Sequence, residues 1–241
     1  MSLPKIDTPI YELDLPLCGK HIRFRPFLVK EQKNLLMALE ADDGETITNN
    51  IRQVLNNCTL TPNVNIDDIP IVDIEYYFLN LRARSVGEIV EAKYRCNNEV
   101  EGKDCGNIME AKVNVLEIKV DRSNETGNLI KLNDNIAVKM KYPSFQTIKK
   151  AAETSDAGQI ALEMIIDSID SVYDGQQEFP ASESTREELL EFVESLSQSQ
   201  FNKIEEFFEN LPKLDKTLKL KCSKCAFEHE ILFEGLESFF D

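Results

Sequence analysis

Residues 217–233 read Thr217-Leu-Lys-Leu-Lys-Cys-Ser-Lys-Cys-Ala-Phe-Glu-His-Glu-Ile-Leu-Phe233 and place two cysteines in a short turn between two segments of β pattern. Before the turn, apolar and polar side chains alternate, which is the period of a strand with one buried face. Two residues separate Cys222 from Cys225. This is the spacing of a zinc knuckle, in which one tight turn supplies two thiolate ligands. The stretch therefore predicts a metal-binding β-hairpin.

A second pair of cysteines lies near the middle of the chain. Cys96 and Cys105 stand at the two ends of the polar loop 97–104, which joins β-rich segments over residues 87–95 and 106–120. Closing a loop of this length costs little entropy, and Gly106 leaves room for the backbone to turn toward a metal. Two such hairpins together would supply four thiolates. A closed four-ligand site has no open position for water or substrate, so we expect one structural Zn²⁺ ion held by Cys96, Cys105, Cys222 and Cys225.

The alternative is a set of unrelated free thiols in which Cys222 and Cys225 form the redox pair of a thiol-disulfide enzyme. A redox pair of this spacing usually begins a helix after a strand, whereas here β pattern continues on both sides. His229, four residues after Cys225, is an alternative fourth ligand. Cys18 and Cys58 lack such neighbours and are expected to be ordinary thiols.

Patterns outside the cysteine segments predict an α+β fold in three parts. Residues 1–85 would form an N-terminal strand pair followed by helices, because alternation over 9–28 gives way to helical spacing of apolar residues. Residues 86–142 and 213–241 would form a discontinuous, zinc-ribbon-like β module. Residues 143–212 would be a helical insertion, with helices over 157–172, 185–194 and 199–210. Thr185 and Glu188 are placed as a capping box.

The net charge of the chain argues against two classes of partner. The chain of 241 residues has 27 Lys and Arg against 43 Asp and Glu, a formal net charge of −16. Such a field repels nucleic acid and anionic membrane surfaces, so neither is expected as a partner. A local cluster of Lys216, Lys219, Lys221 and Lys224 keeps open one alternative function, a zinc-ribbon adaptor that binds nucleic acid.

The hydropathy pattern of the sequence predicts a protein that stays in the cytoplasm. The N-terminus lacks the apolar run of a signal peptide, and no stretch approaches the roughly 18 uncharged apolar residues of a membrane span. In a reducing compartment, cysteines are better interpreted as thiols or metal ligands than as disulfides.

Catalytic signals are scarce. The histidines are His21 and His229, at opposite ends of the chain, and no phosphate loop, nucleophile elbow or metalloprotease helix motif is present. We therefore predict a non-enzymatic protein. The apolar segment 235–241 is expected to dock on its own domain or on a partner, with Leu236, Phe239 and Phe240 as contact residues.

Four segments together resemble the hub and hub-assembly proteins of the T4-type bacteriophage baseplate. The Arg25–Glu40 segment, Arg-Pro-Phe-Leu-Val-Lys-Glu-Gln-Lys-Asn-Leu-Leu-Met-Ala-Leu-Glu, carries the most specific similarity. The others are the opening Thr8-Pro-Ile-Tyr-Glu-Leu-Asp-Leu-Pro16, the Tyr94-Arg-Cys loop that ends in Cys105-Gly-Asn107, and the knuckle of residues 218–227.

This resemblance implies a late protein of a contractile-tailed phage. It would be a component of the baseplate hub or an assembly factor for it, and it would act through contacts with other hub and spike proteins. Its expected location is the host cytoplasm during assembly and the tail baseplate of the virion.

Overall fold

The structure is a computed structural model that describes residues 6–40, 44–151 and 156–234. Within these residues it contains seven α-helices and thirteen β-strands in small sheets, so the predicted α+β class is confirmed. The chain divides into two compact units. Unit 1 comprises 1–66, 72–120 and 214–241, and unit 2 comprises 67–71 and 121–213. The three-part division at 85/86, 142/143 and 212/213 stays a prediction.

Unit 1 begins with an antiparallel hairpin of β1 (Tyr11–Asp14) and β2 (His21–Phe24). A buried carboxylate anchors its turn. Asp73, which is completely buried, accepts hydrogen bonds from the backbone N–H groups of Leu17 (2.9 Å) and Cys18 (2.8 Å). Because a buried carboxylate needs such donors, Asp73 fixes the turn against the helix that contains it.

Three helices follow the hairpin: α1 (Val29–Glu40), α2 (Gly44–Cys58) and α3 (Ile71–Val86). The Phe24 ring packs edge-on against Tyr77 with ring centroids 5.3 Å apart, and the Tyr77 hydroxyl lies 3.0 Å from Thr59 Oγ1. Buried side chains of this region also include Ile22, Leu35, Ile51, Leu55, Ile74 and Phe78. None of the helices in the described part of the chain has the length and apolar composition needed to cross a bilayer.

A buried ion pair occupies the start of α1. Glu31, 1% exposed, accepts hydrogen bonds from Arg25 Nη2 (3.1 Å) and from the Leu28 backbone N–H (2.8 Å). Burial raises the pKa of the Glu31 carboxyl, but these two hydrogen bonds outweigh that effect and leave the pKa below its usual value. The segment with the most specific family resemblance thus contains a structural ion pair.

The β part of unit 1 is built from β3 (Ile89–Arg95), which pairs antiparallel with β6 (Ile108–Asn114). Between them lies a small hairpin of β4 (Glu99–Val100) and β5 (Lys103–Asp104). Its turn residues, Glu101 (φ 51°) and Gly102 (φ 77°), both adopt left-handed conformations, as in type I′ turns. The segment predicted to be a polar loop is therefore an ordered hairpin.

A second sheet of unit 1 has the strand order β13-β12-β7, formed by β7 (Val120–Asp121), β12 (Lys213–Lys221) and β13 (Glu228–Glu234). One core cluster links α3 to both sheets. It contains Leu79 and Ala83 of α3, Val90 of β3, Val113 of β6 and Leu214 of β12. Leu218 and Ile231 pack against this cluster from the β12–β13 hairpin.

Unit 2 has a four-stranded sheet of order β11-β10-β9-β8. Its strands are β8 (Leu129–Lys131), β9 (Ala137–Met140), β10 (Ile169–Tyr173) and β11 (Glu178–Pro180). Its helices are α4 (Phe145–Ala151), α5 (Ala157–Ser168), α6 (Arg186–Glu194) and α7 (Gln198–Glu209). They bury Ile165, Val193, Ile204 and Phe207 together with Val138 and Met140 of β9.

Three helices were predicted in unit 2, and those over 185–194 and 199–210 are confirmed as α6 and α7. The helix predicted over 157–172 ends at Ser168, and β10 follows without a break. Pairing of β10 with β9 on one side and β11 on the other outweighs the helical spacing of its apolar residues. The capping box at Thr185 and Glu188 is confirmed, with both reciprocal hydrogen bonds present.

Candidate metal centre

Two hairpins of unit 1 position the four predicted cysteines. Cys96 directly follows β3, and Cys105 directly follows the β4–β5 hairpin. Cys222 and Cys225 occupy the turn between β12 and β13, whose register pairs Lys221 with Glu228. No helix begins at this turn, which does not fit the usual setting of a redox cysteine pair.

The cysteine turns share one backbone arrangement despite their different lengths. In the first turn, the Gly106 N–H donates to the Cys96 carbonyl (3.1 Å), and in the second the Ala226 N–H donates to the Cys222 carbonyl (2.9 Å). The residue after the second cysteine is left-handed in both, with φ of 63° at Gly106 and 60° at Ala226.

A second backbone hydrogen bond is also equivalent in the two cysteine turns. The Cys96 N–H donates to the Asn107 carbonyl (2.7 Å), and the Cys222 N–H donates to the Phe227 carbonyl (2.8 Å). The two turns are thus structurally equivalent knuckles. The β4–β5 hairpin is an insertion into the first of them, which explains the long spacing between Cys96 and Cys105.

The four thiol sulfurs converge. All lie within 4.8 Å of one another, with 3.6 Å between Cys96 and Cys225 and 3.7 Å between Cys105 and Cys222. A disulfide would need about 2.05 Å. Four sulfurs at about 2.3 Å from a tetrahedral zinc would be about 3.8 Å apart. The donor set and its spacing fit a four-thiolate metal site.

Burial separates the cluster from bulk water. Cys96, Cys105 and Cys222 are buried, with 1%, 7% and 1% exposure, and Cys225 is partly buried. Burial raises the pKa of the Cys96 thiol to about 12, whereas the Cys225 backbone N–H lowers the pKa of the Cys222 thiol to about 6. A bound dication would stabilise the thiolate form of all four, because metal and proton compete for sulfur.

Side-chain amides reach across from one knuckle to the sulfurs of the other. Asn98 Nδ2 lies 3.6 Å from Cys225 Sγ, and Asn107 Nδ2 lies 3.4 Å from Cys222 Sγ. In the opposite direction, Lys224 Nζ donates to the Cys105 carbonyl at 2.9 Å. These contacts hold the hairpins together and place N–H donors beside two of the cysteine sulfurs.

His229 contacts the cluster from β13. Its Nε2 lies 3.1 Å from Cys96 Sγ, and its ring packs edge-on against Phe227 with ring centroids 4.8 Å apart. The sequence interpretation named His229 only as an alternative ligand and missed both asparagines. Their signal in the sequence is an asparagine two positions after each cysteine of the first knuckle.

The remaining predicted residues lie elsewhere. Cys18 and Cys58 are free thiols outside the cluster, and burial raises the pKa of each to about 11. Leu236, Phe239 and Phe240 lie outside the described residues, so their role as partner contacts stays a prediction.

Comparison with known proteins bears on the whole chain. The family model described as T4 bacteriophage base plate protein matches residues 8–241. Searches of curated proteins and of solved structures gave no match. The match covers unit 2 and both knuckles of unit 1, and it agrees with the resemblance seen in the sequence. The chain therefore belongs to the T4 bacteriophage base plate protein family.

Proposed function

We propose that this protein is a component of the phage baseplate hub, or an assembly factor for it, that acts through protein contacts and is stabilised by one structural zinc ion. The family match over residues 8–241 supports the baseplate role. The resemblance of Arg25–Glu40 and of both knuckles to hub proteins supports the hub as its location within the baseplate. It would be made late in infection, act in the host cytoplasm and enter the tail of the virion.

The zinc site rests on one observation: four cysteine sulfurs lie within 4.8 Å of one another in unit 1. Zn²⁺ bound there would supply structural cross-linking, since four protein ligands leave no position for a reactant. The cysteines join the β3–β6 sheet to the β12–β13 hairpin, so the site would hold two sheets in one orientation. Because the binding energy of such a site is also folding energy, metal loss would loosen both.

Metal analysis of the purified protein tests the site. We expect one zinc per chain in the wild type and none after Cys105→Ser or Cys222→Ser, with loss of β structure by circular dichroism. Cys18→Ser and Cys58→Ser are matched controls, because these thiols lie outside the cluster, and they should retain the metal. Full zinc retention in both knuckle variants would contradict the assignment.

A non-enzymatic role is supported by membership of a baseplate family and by the charges in unit 2. A cleft of about 500 Å³ there is lined by both acidic and basic side chains. Asp167 at its wall pairs with Lys150 (2.8 Å) and with Arg186 (2.9 Å). Both cations hold Asp167 in the wall of the cleft, where it has a structural contact on each side.

The alternative function, a zinc-ribbon adaptor that binds nucleic acid, has no observation of this kind in its favour. Two of the four lysines near the second knuckle face acidic partners: Lys219 pairs with Glu230 (3.1 Å) and Lys221 with Glu228 (3.6 Å). These exposed pairs contribute little stability, but they offset the local positive charge that a phosphate backbone would need.

The hub assignment is tested in infected cells. A tagged copy of the protein should co-purify with hub and spike proteins, and a phage that lacks it should yield defective baseplates. A version truncated before residue 235 tests the proposed contacts of Leu236, Phe239 and Phe240, and we expect weaker co-purification. Normal baseplates without the protein would rule out the hub role.

A further inference from the structure

We propose that His229 is a hydrogen-bond donor to the Cys96 thiolate, which makes it a positioning residue of the metal centre and not a metal ligand. The inference rests on the proposed zinc site and concerns how that site retains its ion.

The distance between His229 Nε2 and Cys96 Sγ distinguishes a metal ligand from a hydrogen-bond donor. A nitrogen at about 2.05 Å and a sulfur at about 2.3 Å from one tetrahedral zinc would be about 3.6 Å apart. The separation between His229 Nε2 and Cys96 Sγ is 3.1 Å, clearly shorter. The sulfur pairs at 3.6 and 3.7 Å, in contrast, fit two ligands that share a metal. The geometry at His229 is that of a direct hydrogen bond between nitrogen and sulfur. A metal-bound thiolate has no proton to give, so Nε2–H would be the donor when zinc is present.

The number of ligands supports the same conclusion. The four cysteines already supply four sulfurs within 4.8 Å of one another, which completes a tetrahedral site. A fifth donor would exceed the coordination number of structural zinc. His229 therefore stands outside a filled ligand set.

The fold fixes the orientation of the imidazole. His229 pairs with Leu220 in the register of β12 and β13, so its position on the strand is set by the sheet. The Phe227 ring lies against it at 4.8 Å with an interplanar angle of 69°. The side chain is partly buried, and it extends from the second knuckle to a cysteine of the first.

His229 completes a set of donors that cross between the knuckles. Asn98 approaches Cys225, Asn107 approaches Cys222, and His229 approaches Cys96. Four thiolates around Zn²⁺ carry a net charge of −2, within a chain that is itself strongly acidic. N–H donors spread this charge, and outer partners of metal ligands typically contribute about 10–100-fold to metal affinity.

The test compares three variants for zinc affinity by competition with a chromogenic chelator. His229→Leu removes the donor, His229→Gln keeps an N–H donor, and His21→Leu removes the other histidine, which contacts Asp14 instead. We expect His229→Leu to bind one zinc per chain with affinity lowered about 10–100-fold. His229→Gln should recover most of the loss, and His21→Leu should match the wild type.

Cobalt substitution supplies a readout that a purely structural role would not move. We expect the Co²⁺ form of His229→Leu to keep the intensity of the thiolate-to-cobalt charge-transfer band, because all four sulfurs remain bound, while the band shifts in energy as Cys96 loses its donor.

The outcomes separate this inference from the site on which it rests. A His229→Leu variant that binds zinc as tightly as the wild type would overturn the inference alone. The inference would also be overturned if His229→Leu lost zinc altogether while Cys225→Ser kept it, since His229 would then be a ligand. A wild-type protein without zinc would overturn the metal site itself and this inference with it.

Discussion

The residue after the second cysteine of each knuckle offers a test in which two substitutions should have opposite signs. Ala226 has φ of 60° and Gly106 has φ of 63°. Both backbones are therefore left-handed, but the residue in one knuckle has a side chain and the residue in the other has none. Replacing Ala226 by Gly should relieve strain, and replacing Gly106 by Ala should introduce it. A Cβ at Gly106 would be 3.5 Å from Arg95 Nη2, an ordinary contact, so conformation and not crowding sets the cost there.

The magnitude follows from two opposing contributions. The left-handed conformation costs an L-residue about 1–2 kcal/mol. Glycine adds about 0.4–1 kcal/mol of conformational entropy to the unfolded chain. The free energy of unfolding should therefore rise by about 0.5–1 kcal/mol in Ala226→Gly and fall by a similar amount in Gly106→Ala.

Urea unfolding in excess zinc measures the free energy of unfolding of both variants. Far-UV circular dichroism follows the transition, since the chain has no Trp to report by fluorescence. Ala92→Gly in β3 is the matched control. Its φ is not positive, so it should lose stability. If Ala226→Gly were destabilised as much as Ala92→Gly, the equivalence of the two knuckles would be refuted.

Three further results are expected. Glu31→Gln should lower the free energy of unfolding by about 2 kcal/mol at pH 7, because Arg25, whose side chain is 16% exposed, loses a hydrogen bond to a charged group. Since the folded pKa of Glu31 is lowered, this difference should shrink as the pH falls below about 4.3, and a difference independent of pH in urea unfolding would contradict the ion pair. Zinc binding should release protons and weaken as the pH falls, because the pKa of Cys96 is about 12 without metal. Calorimetric heats of zinc binding that do not vary with the buffer would disprove this proton release. Tyr77→Phe should cost about 1 kcal/mol through loss of the contact with Thr59, and unchanged thermal unfolding would show that contact to be unimportant.

Local patterns in the sequence predict much of this structure. The spacing of Cys222 and Cys225 and the alternation around them predict the second knuckle, because a hairpin is formed by neighbours in sequence. The capping box of α6 is predicted for the same reason. The β4–β5 hairpin inserted into the first knuckle is harder to predict, since its turn places Glu101 in a left-handed conformation that Asn, Asp or Gly adopts more readily.

The shared metal chemistry of the four cysteines predicts that they meet, but the contacts that other side chains make with them are not predictable from such patterns. Asn98 and Cys225 are 127 positions apart, and His229 and Cys96 are 133 apart, so their approach depends on how two hairpins pack. The strand β10 was missed for a related reason. Its pairing with β9 and β11 is a long-range interaction, and its own residues continue the apolar spacing of α5.

The separation of the two knuckles along the chain has a consequence during translation. Cys222 is synthesised 117 residues after Cys105. At roughly 5–20 residues per second, the interval is about 6–23 s. Throughout it, the nascent chain displays one knuckle with two thiols and none of the partners that complete the cluster. Unit 2 is made in the meantime, so the four-cysteine site of unit 1 can close only after a separate compact unit has left the ribosome.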